Sequence, residues 1–275
     1  MTDAAFRQAA TTYRQTYDTA LSELLSRIWG GHLHMGLFES PAEPLKVAQM
    51  RVNRYMAEAA ALHPGLCVLE TACGVGGTAR FLAQNYGVRV LATNIAETQL
   101  AEGRTLTEEA DLSHLVEFRF ADYHDLPVGE ASFDVWWCQE ALLYSIDKRR
   151  VLEEALRVTR PGGRLILSDL LLDGSFIGAE RQHFTTRMKA PDMWSIGQWD
   201  ELLAGLPVEI IARHDWRQHT GPTFERVLDS LEQVRDEFTA RIGAERVEGT
   251  LERVTMQLEA ARKGKLGWSF YALKR

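Results

Sequence analysis

The feature that most constrains the fold is a series of short apolar segments that alternate with helical patterns between residues 65 and 169. Helical spacing lies between most of the segments, as at residues 98–110 and 148–159. The segments have the length and nearly continuous apolar character of strands buried on both faces: LCVLET from Leu66, VRVLAT from Val88, VEFRFA from Val116, FDVWWC from Phe133 and GRLILSD from Gly163. This alternation predicts a parallel sheet with helices on both faces.

The sequence on either side of this core adds helices and two further strands. Residues 1–64 have helical patterns interrupted by the Gly- and Pro-bearing loop WGGHLHMGLFESPAEP. VEIIARHDW and LGWSFYALKR are predicted strands, and the charged segment 222–265 between them has helical spacing. The predicted fold is therefore α/β, a seven-stranded Rossmann-like sheet with an N-terminal helical cap and a helical insertion before the last strand. That insertion is either a lid or a purely structural pair of helices.

The charge balance argues against two classes of partner. The 275-residue chain has a formal net charge of −7, which disfavours non-specific binding to nucleic acid or to a membrane surface. No apolar run approaches the roughly 20 residues that span a bilayer, and the N-terminal segment has no apolar signal core. We therefore expect a cytoplasmic protein whose partner is a small-molecule substrate.

The segment VLETACGVGGTARFLA, residues 68–83, has the order strand, glycine-rich turn, helix. Two adenosine-binding designs share this order. In one, the glycines let a pyrophosphate approach the helix N-terminus. In the other there is no phosphate, and a carboxylate at the end of the strand meets a charged amino-acid tail. The glycine pattern does not separate these designs from each other or from a turn without a ligand.

Three polar side chains at strand ends separate the two designs. Dinucleotide enzymes place an acid about 20 positions beyond the glycines, whereas Asn94 stands there in this chain. Glu70 ends the first strand, where a buried carboxylate needs a cation or donors, and a ligand ammonium group supplies that cation. Asp122 follows the third strand, where it can accept a hydrogen bond from an adenine amine. Together the three predict S-adenosylmethionine, bound at its tail, sugar and base.

The motifs LETACGVGG, FADYHDLP and RVTRPGGRLILSD resemble those of class I S-adenosylmethionine-dependent methyltransferases. The chain resembles the sarcosine/dimethylglycine N-methyltransferase group more closely, through IWGGHLHMGLFE, GGTARFL, NIAETQ, CQEALLYSIDKRRVLEEALRVTRPGG, RMKAPDMWSIGQW and GKLGW. This resemblance covers nearly the whole chain. It implies a methyltransferase sheet that uses S-adenosylmethionine and releases S-adenosylhomocysteine.

The resemblance also implies roles for individual positions. The loop after the first strand would hold the methionine tail, the end of the second strand the ribose and adenine, and the end of the fourth strand the floor below the sulfonium. An N-terminal tyrosine and the loop around His34 would close over the cofactor. The implied cofactor-binding set is Tyr17, Glu70, Ala72, Gly74, Gly76, Asn94, Ile95, Gln99, Asp122, Tyr123, Gln139 and Leu142.

The resemblance and the predicted elements together divide the chain into four units. Residues 1–64 form the helical cap and cofactor-covering loop, and residues 65–221 form the S-adenosylmethionine-binding core. Residues 222–265 form the helical lid, and residues 266–275 form the final core strand.

The residues expected beside the methyl acceptor differ from those usual in the sarcosine/dimethylglycine N-methyltransferase group. The group usually has an aspartate and a histidine in the segment that here reads QEALLYS, so Glu140 and Tyr144 are substitutions. Tyr144 and His34 are the candidates to orient substrate or accept a proton; an aromatic wall and a loop-stabilising hydrogen bond are the alternatives. Arg181 and Arg187 are the candidates to bind a substrate carboxylate. No cluster has metal-ligand spacing, so we expect no metal.

Three functions stay open on the sequence. The leading prediction is methylation of the nitrogen of a small amine or amino acid, as in the sarcosine/dimethylglycine group, and the other two are alternatives. The second is methylation of carbon or oxygen in a natural-product pathway on the same scaffold. The third, a non-catalytic or NAD-type nucleotide-binding protein, is opposed by Asn94 and by the intact set of Glu70, Gly74 and Asp122.

Overall fold

A computed structural model describes residues 19–30, 32–40, 42–190 and 192–275. Within these ranges seven strands form one sheet: β1 Cys67–Thr71, β2 Arg89–Asn94, β3 Val116–Phe120, β4 Phe133–Gln139, β5 Thr159–Leu172, β6 Glu209–Asp215 and β7 Leu266–Lys274. Their spatial order is β3-β2-β1-β4-β5-β7-β6. Neighbouring strands among β1 to β5 pair in parallel, and β7 lies antiparallel between β5 and β6.

The helices surround this sheet and confirm the predicted fold class. The described ranges contain α1 Thr19–Ile28, α2 Leu45–Ala59, α3 Gly77–Tyr86, α4 Glu97–Glu109, α5 Lys148–Val158, α6 Gly178–Met188, α7 Ile196–Ala204, α8 Thr220–Ile242 and α9 Ala244–Arg262. Two 3-10 turns, Leu142–Tyr144 and Arg217–His219, connect them to the strands. In the part of the chain that the structure describes, no helix combines the length and apolarity needed to cross a bilayer.

One strand is longer than the sequence predicts. β5 begins at Thr159, which pairs with Phe133 of β4, instead of at Gly163. The register shifts between Phe133 and Val135, so the turn residues RPGG are accommodated as an irregularity within the pairing.

Helices from the two ends of the chain meet on one side of the molecule. The α8 and α9 helices pack against each other, and α1 packs against α8. Trp29, just after α1, meets Phe224 edge to face, with ring centroids 6.1 Å apart. Arg241 Nη1 donates to Glu23 Oε1 at 2.8 Å. The insertion and the N-terminal helix therefore form one cover; the division of the chain at residues 64, 221 and 265 stays a prediction.

Candidate functional site

A cavity of about 740 Å³ opens at the carboxyl ends of β1 to β4, beside α1, α6 and α9. Its volume is within the roughly 300–1,000 Å³ typical of small-molecule sites. Much of its wall is apolar, and includes Leu25, Trp29, Leu33, Met35, Leu143, Ile146, Leu170, Met188 and Val254. The cavity lies where ligands bind in open parallel sheets.

The wall brings together many of the residues that the sequence singled out. On the wall lie His34, Ala72, Gly74, Asn94, Ile95, Asp122, Tyr123, Gln139 and Tyr144. Glu70, Gly76, Gln99 and Leu142 belong to the same loops and strand ends but do not line the cavity. Tyr17 lies outside the described residues.

The loop between β1 and α3 turns through left-handed backbone. The φ angles of Ala72, Gly74 and Gly76 are +56°, +55° and +72°, a region that glycine adopts without strain. A Cβ atom on Gly76 would lie 2.4 Å from Cζ of the buried Phe118. The glycines thus let the loop pass close to β3 and present backbone to the cavity at Gly74.

Glu70 lies at the end of β1, behind this loop. Its side chain is buried, and its Oε2 has no hydrogen-bond partner among the described residues. Burial raises the pKa of Glu70 to about 8; the positive charge of Arg80 and the backbone N–H of Ala79 oppose that rise only in part. A buried acid of this kind is stabilised by a proton or by a cation, which suits a ligand ammonium group.

Asn94 ends β2 and is held in a fixed orientation. Its Nδ2 donates to Gln99 Oε1 at 2.8 Å, and its Oδ1 accepts from the Ile95 backbone N at 2.8 Å. Gln99 is buried, and its Nε2 has no hydrogen-bond partner among the described residues. The end of β2 therefore offers neutral amide groups, which can bind hydroxyls, in place of an acid.

Asp122 and Tyr123 follow β3. The Asp122 Oδ1 accepts from the His124 backbone N at 2.9 Å and lies 2.7 Å from His124 Nδ1. The Tyr123 hydroxyl donates to the Ala141 carbonyl oxygen at 3.4 Å, and burial raises the pKa of Tyr123. The wall at this point therefore combines an oriented carboxylate with a protonated aromatic side chain.

Gln139 forms a rigid floor at the end of β4. Its Oε1 accepts from Thr78 Oγ1 at 3.0 Å and from Trp137 Nε1 at 2.8 Å, and its Nε2 donates to Asn53 Oδ1 at 3.2 Å. Leu142 is fully buried outside the wall. These contacts fix the floor through three separate elements, α3, β4 and α2.

His34 and Glu140 lie 106 positions apart in the chain and meet on the wall, with His34 Nδ1 2.8 Å from Glu140 Oε2. The other carboxylate oxygen, Oε1, accepts from Ser168 Oγ at 2.5 Å and from Trp268 Nε1 at 2.8 Å. An indole N–H only donates, so Oε1 is an acceptor here; an ionised Glu140 has only acceptors and would take the Nδ1–H of His34 at Oε2. This tautomer leaves Nε2 of His34 able to accept a proton.

The backbone around this pair is also fixed. Gln49 Nε2 approaches the carbonyl oxygens of Trp29, His32 and His34 at 3.2, 2.7 and 2.8 Å. Glu140 has a φ of +43°, a strained conformation for a residue with a side chain, which persists where neighbours determine it. The His34 backbone is thus held by Gln49, and its imidazole contacts Glu140 on the wall, which fits both a loop-stabilising bond and a role in the site.

Tyr144 ends the 3-10 turn and lies half-buried on the wall. The turn is anchored from behind by Asp169, whose Oδ1 accepts from the Leu143 backbone N at 3.2 Å. Burial raises the pKa of Asp169 to about 8, although the positive charge of Lys148 opposes it. The structure thus presents the Tyr144 ring to the cavity, which fits both an aromatic wall and a proton-handling hydroxyl.

The structure places neither Arg181 nor Arg187 at the substrate position expected from the sequence. Arg181 donates to the Met193 carbonyl oxygen, and Arg187 Nη2 lies 2.6 Å from Glu252 Oε2 at the surface. The ion pair uses the Arg187 charge to join α6 to α9. Among the wall residues that the structure describes, the Lys and Arg side chains are Lys189 and Arg253.

The sequence predicts no role for three residues of interest, Glu140, His124 and Arg253. Glu140 is visible there as a departure from the related group, but its partner is distant in the chain. His124 lies two positions after Asp122, and this short spacing could have indicated that the two side chains interact. Arg253 belongs to the charged helix α9, and its spacing does not distinguish it from the solvated arginines around it.

Comparison with known proteins gives a consistent result. A family model described as a methyltransferase domain matches residues 69–167. The sarcosine/dimethylglycine N-methyltransferase of Halorhodospira halochloris is 30% identical over 271 residues, which cover 98% of this chain and 97% of that protein. The 27-O-demethylrifamycin SV methyltransferase of Amycolatopsis mediterranei is 33% identical over 240 residues, which cover 86% and 88%.

Solved structures show the same fold. A protein from Galdieria sulphuraria, described as a candidate sarcosine dimethylglycine methyltransferase, matches with a TM-score of 0.86 and 24% identity. The match covers 94% of this chain and 98% of that one. The similarity therefore extends over the sheet, the N-terminal helices and the insertion.

Proposed function

Because the chain belongs to the S-adenosylmethionine-dependent methyltransferases of small molecules, we propose that it methylates a hydroxyl oxygen of a largely apolar acceptor. The observation that carries this proposal is the His34–Glu140 pair on the cavity wall. A hydroxyl is a weak nucleophile unless a positioned base takes its proton. A neutral amine needs no such base, so the pair favours oxygen over nitrogen.

The described residues fit S-adenosylmethionine at three points. Glu70 lies behind the loop that carries Gly74, where its unpartnered Oε2 suits the ammonium group of the tail; on the wall, Asn94 suits the ribose hydroxyls and Asp122 the adenine amine. Ala72, Gly74, Ile95, Tyr123 and Gln139 would complete the wall around the ligand. When bound, S-adenosylmethionine supplies a methyl group whose bond to sulfur breaks as the bond to the acceptor forms, leaving S-adenosylhomocysteine.

The residues of the chain have separate tasks in this proposal. The Nε2 of His34 takes the proton of the acceptor hydroxyl, and Glu140 orients the ring and stabilises the imidazolium. The Ser168 and Trp268 donors keep Glu140 in place. The apolar side chains on the wall exclude water and hold the acceptor in line.

Methylation of an amine nitrogen is the second candidate. The Halorhodospira halochloris relative favours it, and so does Arg253, a cation on the wall that suits a substrate carboxylate. A carbon acid would use the same base as a hydroxyl.

Labelled S-adenosylmethionine separates these candidates. The enzyme is incubated with apolar hydroxyl compounds in one panel and with glycine, sarcosine and dimethylglycine in another. We expect transfer of label to the hydroxyl panel. Transfer confined to the amines would contradict the oxygen proposal and support the second candidate.

The cofactor assignment predicts a selective thermal shift. Ligands present at 100 times their Kd should stabilise the protein by about 2.7 kcal/mol, and we expect this for S-adenosylmethionine and S-adenosylhomocysteine. NAD serves as the control, since the acid it needs is replaced by Asn94. Stabilisation by NAD alone would contradict the assignment.

The raised pKa of Glu70 predicts that the affinity for S-adenosylhomocysteine depends on pH. In the free protein its pKa is raised to about 8, so the acid is protonated below that pH. Pairing with the ligand ammonium requires the carboxylate, so binding releases a proton and affinity rises with pH from about 6 toward 8, by up to about tenfold per pH unit. Calorimetry over this range measures the slope.

Two variants test the source of that slope. Glu70→Gln should flatten it and weaken binding near pH 8 by about 1–3 kcal/mol. Asp169→Asn is the matched control, because this buried acid also has a pKa of about 8 but lies behind the 3-10 turn beside Lys148, away from the loop assigned to the tail. An unchanged slope in Glu70→Gln would show that another group holds the tail.

A further inference from the structure

The His124 side chain contacts Asp122, the residue proposed to bind the adenine amine. We infer that it is a positioning residue: its imidazole fixes the Asp122 carboxylate so that the site selects adenine by its exocyclic amine. This inference rests on the proposed function, in which Asp122 contacts the base. His124 itself need not touch the reacting atoms.

A continuous chain of hydrogen bonds runs through the His124 ring. Nδ1 lies 2.7 Å from Asp122 Oδ1, and Nε2 lies 2.9 Å from Ser145 Oγ. The Asp147 backbone N donates to the same Ser145 Oγ at 3.1 Å. Ser145 is fully buried and His124 nearly so, so the groups of this chain depend on each other for hydrogen bonds.

The directions of these bonds assign the tautomer. Ser145 Oγ accepts from the Asp147 N–H, and its own hydroxyl proton can donate to Nε2 of His124. The ring then carries its proton on Nδ1 and donates it to Asp122 Oδ1. The opposite tautomer would turn a bare nitrogen toward a carboxylate, which has only acceptors when it is ionised.

Contacts to both the backbone and the ring of His124 restrict where its imidazole can lie. Arg150 Nε donates to the His124 carbonyl oxygen at 2.9 Å, and the Tyr123 ring lies 4.6 Å from the imidazole, between centroids. His124 therefore joins the loop after β3 to the segment after β4 and to the start of α5. Asp122 is held at Oδ1 by both the backbone and the ring of His124.

This arrangement has a consequence for base recognition. An ionised carboxylate offers about four lone-pair sites, so Asp122 can accept from an adenine amine while it accepts from His124. A carbonyl in place of the amine would face the carboxylate with lone pairs against lone pairs. The ring bond adds a second restraint to the Oδ1 atom that the His124 backbone N–H already holds, which fixes the orientation of the carboxylate more closely.

The experiment compares S-adenosylhomocysteine with its deaminated analogue, S-inosylhomocysteine, by calorimetry. The wild-type protein should prefer the adenosine compound by about 10- to 100-fold, the size of one charge-assisted bond. In His124→Leu we expect this preference to fall to about threefold or less, through weaker binding of the adenosine compound. A general loss of structure would weaken both ligands and leave their ratio unchanged.

Two further variants keep the test decisive. His124→Asn places an amide N–H where it can replace the Nδ1 donor and should restore most of the preference. Ser145→Ala removes the donor to Nε2 and should lower the preference partly, which serves if His124→Leu does not fold. A wild-type preference that persists in His124→Leu or in Ser145→Ala overturns the inference. A wild-type protein without the preference overturns the Asp122 assignment itself.

Discussion

His34→Ala is expected to lower kcat by about 100- to 10,000-fold, the usual contribution of a positioned general base. The substitution removes the imidazole whose Nε2 is left to accept a proton, while the bonds from Gln49 to the loop carbonyls are retained. The Kd for S-adenosylhomocysteine should change by less than about threefold, because the variant loses an interaction with the transition state and keeps the contacts that bind the cofactor. Single-turnover methyl transfer and calorimetry measure the two quantities.

Two companion variants identify which group handles the proton. Glu140→Gln keeps the shape of the side chain but removes the charge that orients His34 and stabilises imidazolium, so kcat should also fall, by less than in His34→Ala. Tyr144→Phe removes only a hydroxyl from the wall. A larger loss in Tyr144→Phe than in His34→Ala would transfer the role of base to Tyr144. Full activity in His34→Ala would favour the amine candidate, which needs no base.

Gly76→Ala is expected to lower the free energy of unfolding by roughly 2–5 kcal/mol. Two effects add at this position. The φ of +72° is unfavourable for any residue with a side chain, and the new Cβ would lie 2.4 and 2.5 Å from Cζ and Cε1 of Phe118. Phe118 is buried, so the ring cannot swing into solvent to relieve the clash. Urea unfolding followed by tryptophan fluorescence measures the change.

Gly74 supplies the matched control for Gly76. Its φ of +55° is similarly left-handed, but no described atom lies within 4 Å of the position that a Cβ would take. Gly74→Ala should therefore lower the free energy of unfolding by about 1–2 kcal/mol, the conformational part alone. Equal losses in the two variants would show that contact with Phe118 does not matter.

Much of the fold follows from local pattern. The apolar runs of β1 and β2 and the helical spacing after them specify a parallel sheet with helices on both faces, because each face must bury an apolar surface. The exact extent of β5 does not follow, since RPGG has the composition of a turn. Pairing of Thr159 with Phe133 extends the strand through it. Tertiary pairing outweighs local preference there.

Some residues of the candidate site can be predicted from the sequence, and others cannot. Glu70, Asn94 and Asp122 follow directly from the rule that ligands lie beyond the carboxyl ends of parallel strands. The arginines illustrate the limit of such reasoning. Arg187 has a suitable position in the chain, yet its charge is used in an ion pair with Glu252, and Arg253 reaches the wall from a helix that the sequence marks only as charged.

Local pattern predicts the strands, the glycine turn and the polar residues at the strand ends, because each depends on neighbours within a few positions of the chain. The cofactor prediction joins three of those strand ends through the rule that ligands lie beyond the carboxyl ends of parallel strands. Which distant side chains meet is visible in the folded structure alone. His34 and Glu140 come from a loop near the N-terminus and from the end of β4, and no spacing rule connects them. Their encounter depends on how the N-terminal helices pack over the sheet, and that packing is set by the summed burial of many side chains instead of by any local pattern.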